Sequence, residues 1–164
     1  MSKVWFITGT STGFGRELAV AALEAGNQVV ATARKPEVLA DLTAKYGDKV
    51  LAVRLDVTNK FDIGSAVKAA EEQFGRIDVL VNNAGYGIFG GFEEITDAQF
   101  RAQYETNVFG VINITQAILP QMRARKSGYI LNISSVAGLV SMPGFSAYAS
   151  SKFALEGISE AMAA

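Results

Sequence analysis

Five short apolar runs alternate with longer segments of helical periodicity along this 164-residue chain. The runs are predicted to be buried strands, at residues 3–8, 28–33, 49–57, 77–85 and 128–135. The segments that follow them are predicted to be helices, at residues 14–26, 36–47, 59–75, 96–125 and 146–164. Such alternation implies right-handed crossovers and a parallel sheet covered on both faces. The sequence therefore predicts an α/β fold with a doubly wound parallel sheet.

Local signals refine these elements. Asn59 stands where a helix N-cap is expected, and Pro120 predicts a kink in the long helix over residues 96–125. The glycine-rich residues 86–95 are predicted to be irregular. No internal repeat or low-complexity linker divides the chain, so residues 1–164 are assigned to one domain.

Composition excludes several classes of function. Lysine and arginine total 15 against 16 acidic residues, without blocks of like charge, so neither a nucleic-acid partner nor an anionic membrane is predicted. The chain has no cysteine and no histidine, which excludes thiolate and imidazole metal ligands, and no metal site is predicted. Acid–base chemistry must then come from tyrosine, lysine, a carboxylate or a cofactor. No apolar run has the length of a secretory or membrane-spanning segment, so a cytoplasmic protein is expected.

The first strand–helix junction reads TGTSTGFG, residues 8–15. Glycines at such a junction permit a tight turn and let the backbone approach a pyrophosphate, which the N–H groups of the helix then bind. The alternative is a glycine-rich turn with no ligand. The position of the motif in a βαβ series favours a dinucleotide. The residues assigned to it here are Gly9, Ser11, Thr12, Gly13, Phe14 and Gly15.

The end of the second predicted strand distinguishes the two nicotinamide dinucleotides. A carboxylate usually binds the adenosine ribose there, but this chain has Arg34 and Lys35 and no acid. A guanidinium can bind a 2′-phosphate bidentately, so NADP(H) is favoured over NAD(H) and Arg34 is assigned to it. The alternative is that both cations are only solvated charges at the end of a strand.

The sequence YASSK places Tyr148 and Lys152 one helical turn apart. The two side chains would share one face of the last helix, and a lysine charge near a phenol favours the phenolate. Taken alone, the pentapeptide is equally a helix that happens to carry both residues. Its meaning depends on the other motifs.

Together, six motifs resemble the short-chain dehydrogenase/reductase family, and the resemblance runs the length of the chain. Besides TGTSTGFG (8–15) and YASSK (148–152), they are LDV (55–57), NNAG (82–85), NVFG (107–110) and NISS (132–135). They occur in the order and at the separations typical of that family. The resemblance implies an oxidoreductase with the Rossmann form of the doubly wound fold.

The resemblance also implies a role for each matching position. Tyr148 would be the general acid or base and would contact the substrate. Lys152 would favour the phenolate and hold the nicotinamide ribose, and Ser135, rather than Ser134, would hydrogen-bond the substrate oxygen. Asn107 would anchor a water in a proton relay, although it could instead be only an internal polar residue. The remaining cofactor contacts would be Asp56, Val57, Asn83, Ala84 and Gly85.

Members of this family generally continue beyond the helix that carries YASSK. The resemblance therefore implies that the chain is incomplete at its C-terminus, with one sheet edge and part of the substrate pocket missing. A mostly apolar pocket is expected, which only weakly favours a hydrophobic carbonyl or alcohol, because an apolar lining is common to most ligand sites. Its candidate residues are Tyr86, Ile88, Phe89, Leu139, Met142 and Phe145.

These observations favour an NADP(H)-dependent oxidoreductase that interconverts a small carbonyl compound and an alcohol. The alternative is a nucleotide-binding module without turnover, either a truncated fragment or a redox-sensing partner. The long helix (96–125) and the last helix (146–164) carry more apolar positions than one sheet face requires. A homo-oligomer is therefore expected.

Overall fold

Five parallel strands form one sheet in the computed structural model, which describes residues 2–163. The strands are β1 (Val4–Ile7), β2 (Gln28–Ala33), β3 (Val50–Arg54), β4 (Val79–Asn82) and β5 (Tyr129–Asn132). Their order across the sheet is β3-β2-β1-β4-β5. The predicted doubly wound α/β fold is confirmed.

Helices cover both faces of the sheet. The α-helices are α1 (Gly13–Glu24), α2 (Ala40–Tyr46), α3 (Lys60–Phe74), α4 (Asp97–Tyr104), α5 (Gly110–Arg125) and α6 (Ser146–Ala163). Short 3₁₀ turns occupy Pro36–Leu39, Gly47–Lys49 and Val136–Gly138, and a π-helical segment occupies Glu105–Phe109. Among residues 2–163, no helix is both long and apolar enough to cross a membrane.

The central strand β1 has neighbours from both halves of the fold. Phe6 is in register with Val30 of β2 on one side and with Leu80 of β4 on the other. The order in which strands are added reverses after β3, so β4 is placed beside β1. A crevice opens at such a reversal, beyond the carboxyl ends of the strands, and ligands of α/β proteins bind there.

Alternate residues of β1 supply the cores of the two faces. Phe6 packs in a cluster with Leu80 and Ile114, on the side of α3 and α5. Its neighbour Ile7 packs with Val29 on the opposite side, where α1 and α2 lie. Burial on both faces explains why the inner strands β1, β2 and β4 appear in the sequence as continuous apolar runs.

Asn59 is the predicted N-cap of α3. Its side-chain oxygen accepts hydrogen bonds from the backbone N–H groups of Phe61 at 2.9 Å and Asp62 at 3.4 Å. These bonds satisfy two donors that the first helical turn leaves free.

The single helix predicted over residues 96–125 is wrong in detail. The π-helical segment Glu105–Phe109 separates α4 from α5, whereas Pro120 lies inside α5, which continues to Arg125. The interruption of the α-helix therefore lies at Glu105–Phe109, fifteen to eleven residues before the proline. The apolar residues keep a helical spacing across a single π-helical turn, so the sequence pattern does not reveal it. A proline removes only one backbone N–H donor, so the α-helix can continue through it.

Strand β5 is at one edge of the sheet formed by residues 2–163. Tyr129 and Leu131 on this strand are exposed.

Candidate active site

Two glycines of the turn between β1 and α1 adopt a backbone conformation that L side chains rarely take. Gly9 has φ +70° and Gly13 has φ +60°. A Cβ atom on Gly9 would also lie only 3.0 Å from the Cα of Ala84. A Cβ on Gly15 would overlap the Gly9 carbonyl oxygen and the side-chain amide of Asn83. The turn therefore requires glycine both for its conformation and for close packing.

Asn83 and Thr8 join this turn to the end of β4. The Asn83 side-chain amide donates to the carbonyl oxygens of Thr8 at 2.9 Å and Gly9 at 3.0 Å. In return, the Thr8 hydroxyl accepts from the backbone N–H groups of Asn83 and Ala84, both at 2.9 Å. Four hydrogen bonds thus fix one side of the crevice between β1 and β4.

A cleft of about 570 Å³ occupies this crevice. It is lined by ten of the residues assigned to the cofactor: Gly9, Ser11, Thr12, Phe14, Arg34, Asp56, Val57, Asn83, Ala84 and Gly85. The other four assigned residues, Gly13, Gly15, Tyr148 and Lys152, are outside this lining. The lining also contains Ala33, Leu55, Tyr86 and Thr106, none of which was assigned to the cofactor. Each of the four adjoins an assigned residue in the sequence, so a window one residue wider would have included them.

The cleft has features that suit a dinucleotide. Thr12, the N-cap of α1, makes no side-chain capping hydrogen bond within the described residues, so N–H groups of the first turn are left for another acceptor. The glycine turn beside them has no room for side chains at Gly9 and Gly15. A phosphate is well suited to such a helix start.

Asp56 and Arg34 place opposite charges on the cleft lining. The Asp56 carboxylate accepts from the backbone N–H of Thr58 at 3.0 Å and from its hydroxyl at 2.8 Å. These bonds, together with the nearby charges of Arg34 and Arg54, hold the pKa of Asp56 below its ordinary value despite partial burial. Asp56 is therefore an anion, and Arg34 is its neighbouring cation.

Tyr148 and Lys152 lie one turn apart on α6, as predicted. The Lys152 ammonium is 5.9 Å from the centre of the Tyr148 ring and donates to the carbonyl oxygen of Ile133 at 2.7 Å. Lys152 is 7% exposed. Burial lowers the pKa of Lys152, and the charge of Glu156 opposes that shift.

Asn107 lies in the π-helical segment and connects two parts of the site. Its side-chain oxygen accepts from the Tyr86 N–H at 3.2 Å, and its amide donates to the Tyr86 carbonyl at 2.9 Å and to the Ser151 hydroxyl at 3.1 Å. The Ser151 hydroxyl in turn donates to the Tyr148 carbonyl at 2.7 Å. Asn107 therefore links the cleft-lining Tyr86 to the helical turn that carries Tyr148.

Ser135 caps the short 3₁₀ helix after β5. Its hydroxyl oxygen accepts from the Ala137 N–H at 3.1 Å. That helix packs on α6, because a Cβ on Gly138 would lie 3.1 Å from the carbonyl oxygen of Lys152. The Ser134 hydroxyl, by contrast, is buried with no hydrogen-bond partner among the described residues.

Aromatic side chains surround one side of Tyr148. The ring of Phe89 is 5.6 Å from the ring of Tyr148 and 4.6 Å from that of Phe145. The Gly90 N–H donates to the Gly144 carbonyl at 3.0 Å, which ties together the two segments that carry these rings. Of the other predicted pocket residues, Ile88 is half-buried, and three are exposed: Tyr86, Leu139 and Met142.

Comparison with known proteins agrees with this geometry. Residues 3–164 match the family described as short chain dehydrogenase. Oxidoreductase BOA17 of Botryotinia fuckeliana is 48% identical to this chain, covering 99% of it and 60% of the relative. A short-chain dehydrogenase structure from Streptomyces avermitilis superposes with a TM-score of 0.96 at 49% identity, covering 99% of this chain and 60% of that one. For a short chain dehydrogenase/reductase from Burkholderia phymatum in complex with NAD, the TM-score is 0.93 at 33% identity, with coverage of 98% and 59%.

The chain thus spans about 60% of the length of these relatives. The match nevertheless includes both the glycine turn of the cleft and the helix that carries Tyr148 and Lys152. The chain belongs to the short-chain dehydrogenase family.

Proposed function

We propose that this chain forms the cofactor-binding and catalytic part of an NADP(H)-dependent oxidoreductase that interconverts a carbonyl compound and an alcohol. The observation that carries this proposal is the hydrogen-bonded path from cleft-lining Tyr86 through Asn107 and Ser151 to the turn of Tyr148. A chain that only bound a nucleotide would not need a tyrosine and a buried lysine at the end of that path.

The cofactor would be held by the glycine turn, the start of α1 and the far side of the cleft. A nicotinamide dinucleotide supplies hydride transfer, so the protein has to supply orientation and a proton. The adenosine end would lie near Asp56 and Arg34, the two charged residues on the lining.

Tyr148 would give a proton from its phenol oxygen during carbonyl reduction and take one during alcohol oxidation. Lys152 places an ammonium 5.9 Å from the centre of the phenol ring, on the same face of α6. The Ser135 hydroxyl oxygen accepts from the Ala137 N–H, which leaves its own proton to donate to a substrate oxygen. Asn107 would hold the proton relay in place, because its side-chain amide donates both to the Tyr86 carbonyl and to the Ser151 hydroxyl.

The preference for NADP(H) rests on the end of β2. Arg34 follows that strand directly and lines the cleft, and the adjacent residue is a second cation rather than a carboxylate. A 2′-phosphate could accept two charge-assisted hydrogen bonds from the guanidinium, whereas a bare ribose hydroxyl offers no such bidentate, charged acceptor. A relative has been solved with NAD, so the preference belongs to these side chains and not to the fold.

The substrate side is expected to favour apolar carbonyl compounds of small size. Phe89 and Phe145 pack near Tyr148 and present ring surface rather than charge. An apolar lining with one or two polar groups at the reacting atom is usual for ligand sites.

The test is oxidation of NADPH by the purified chain with a panel of aldehydes and ketones, beside the variant Tyr148→Phe. We expect turnover to be lost in the variant, by about 10²-fold or more, while NADPH binds as before. Tyr129→Phe is the matched control, because that tyrosine lies exposed on β5. Reduction at near wild-type rates by Tyr148→Phe would remove Tyr148 from the mechanism. NADPH binding without reduction of any carbonyl would favour the nucleotide-binding module.

A further inference from the structure

Gln103 is a buried amide that the proposed mechanism does not use. It is 0% exposed and is the buried residue of α4. A buried amide costs folding free energy unless it is hydrogen-bonded. Its side-chain oxygen accepts from the Ile88 N–H at 2.8 Å, and its side-chain nitrogen donates to the Tyr86 carbonyl. Both bonds go to one short stretch of irregular backbone.

Asn107, four positions later, binds the same stretch. It accepts from the Tyr86 N–H and donates to the Tyr86 carbonyl. Two amide side chains therefore satisfy three backbone groups of residues 86–88, which belong to no helix or strand. Gln103 supplies the acceptor for the Ile88 N–H, and Asn107 has no bond to that group.

The stretch held in this way forms a wall beside Tyr148. A Cβ on Gly87 would lie 3.3 Å from the Cδ2 atom of the Tyr148 ring, so the backbone and the ring are in close packing. Phe89, at the end of the stretch, packs its ring 5.6 Å from that of Tyr148. Tyr86, at its beginning, lines the cleft.

We propose that Gln103 is a positioning residue, which fixes residues 86–89 against Tyr148 and so aligns the phenol with the carbonyl to be reduced. The proposal rests on the proposed function for its catalytic consequence. Without Gln103, the Ile88 N–H loses its acceptor and the wall beside the phenol loosens. Misplacement of a reacting group by about 1 Å can lower the rate of the chemical step by about 10²-fold. In the part of the chain that the structure describes, the Gln103 amide makes no hydrogen bond to the glycine turn, where the phosphates would bind.

The first test is Gln103→Met, which keeps the size of the side chain and removes both hydrogen bonds. We expect kcat for a ketone to fall about ten- to a hundredfold, with the KM for NADPH and its Kd by calorimetry within about twofold. Hydrogen exchange at the Ile88 amide should quicken. By NMR, the nuclear Overhauser effect between the Gly87 α-protons and the Tyr148 ring should weaken. Gln116→Met, at an exposed glutamine of α5, is the matched control and should change none of these.

The second variant, Gln103→Glu, separates hydrogen bonding from packing. A protonated carboxyl can donate to the Tyr86 carbonyl and accept from the Ile88 N–H, whereas a carboxylate cannot donate. Burial favours the protonated form, so the ratio of its kcat to that of wild type should rise as pH falls from 8.5 to 5.5. Taking this ratio cancels the titration of Tyr86, Tyr148 and Lys152, which all variants share. The pH dependence of this ratio requires only that Gln103→Glu folds, so it also decides the matter if Gln103→Met does not fold.

A kcat for Gln103→Met equal to that of the Gln116→Met control would overturn the proposal, as would an unchanged Ile88 exchange rate and Gly87–Tyr148 signal. A flat pH ratio for Gln103→Glu would do the same. If the wild-type chain reduces no carbonyl, the proposed function fails. The exchange and NMR signals then still decide whether Gln103 positions the wall beside Tyr148.

Discussion

Replacing Gly15 by alanine tests the most crowded point of the glycine turn. The added Cβ would overlap the carbonyl oxygen of Gly9 and the side-chain amide of Asn83. That amide makes two hydrogen bonds, to the carbonyls of Thr8 and Gly9. The methyl group therefore cannot be accommodated without moving either the turn backbone or the side chain that joins it to β4.

The expected cost follows from these contacts. Loss of the two hydrogen bonds of Asn83 would lower the free energy of unfolding by about 1 kcal/mol each. Their sum lies within the range of about 1–3 kcal/mol that adding a methyl group to a packed site costs. Alanine regains up to about 1 kcal/mol over glycine within a helix. The net expectation is a free energy of unfolding lower by about 1–2 kcal/mol, which lowers the Tm by about 2–8 °C in a domain of this size.

Urea unfolding followed by circular dichroism measures this difference, and Gly64→Ala is the matched control. Gly64 also lies in a helix, but its Cβ would meet nothing within 4 Å. The same substitution there should raise the free energy of unfolding by about 0.5–1 kcal/mol. NADPH affinity should fall for Gly15→Ala only. Equal stabilities for the two variants would refute the argument that crowding requires Gly15.

Three further predictions concern charge and assembly. Arg34→Asp should weaken NADPH binding and favour NADH, because a repelling charge replaces the partner of the 2′-phosphate; unchanged relative affinities by calorimetry would make Arg34 a bystander. Burial lowers the pKa of Lys152 from 10.5, so between the lowered value and 10.5 the unfolded chain binds more protons and the free energy of unfolding rises with pH. Lys152→Met should flatten that rise in urea unfolding at pH 7–10, and an unaltered slope would contradict it. The apolar positions on α5 and α6, together with exposed Phe109 of the π-helical segment and exposed Phe153 of α6, predict a homodimer or larger species. A stable monomer mass near 17.4 kDa in light scattering would be evidence against it.

The parts of the fold that depend on local chemistry were predictable from sequence. The strand at residues 28–33 was predicted with the bounds found for β2, because its apolar residues are buried on both faces. Asn59 was predicted as a cap because a cap needs only a side-chain oxygen and the next helical turn. The glycine turn followed from spacing alone, since positive φ and close packing both require the same residue.

The parts that depend on tertiary contact were not predictable. The π-helical segment Glu105–Phe109 interrupts a periodicity that looked continuous, and it carries Asn107 towards a backbone segment about twenty residues earlier in the chain. Gln103 resembles any polar residue of an exposed helix until its partners at residues 86 and 88 are known.

The hydrogen bonds between Thr8 and the end of β4 determine the stage of synthesis at which the chain can first bind a nucleotide. The donors to the Thr8 hydroxyl, Asn83 and Ala84, lie 75 and 76 positions further along the chain. A ribosome therefore completes the glycine motif long before it makes the residues that fix one side of the crevice. Closing so long a loop is slow relative to local helix formation. A nascent chain that ends before β4 has the motif but not the cleft, and nucleotide affinity should appear only after β4 has paired with β1.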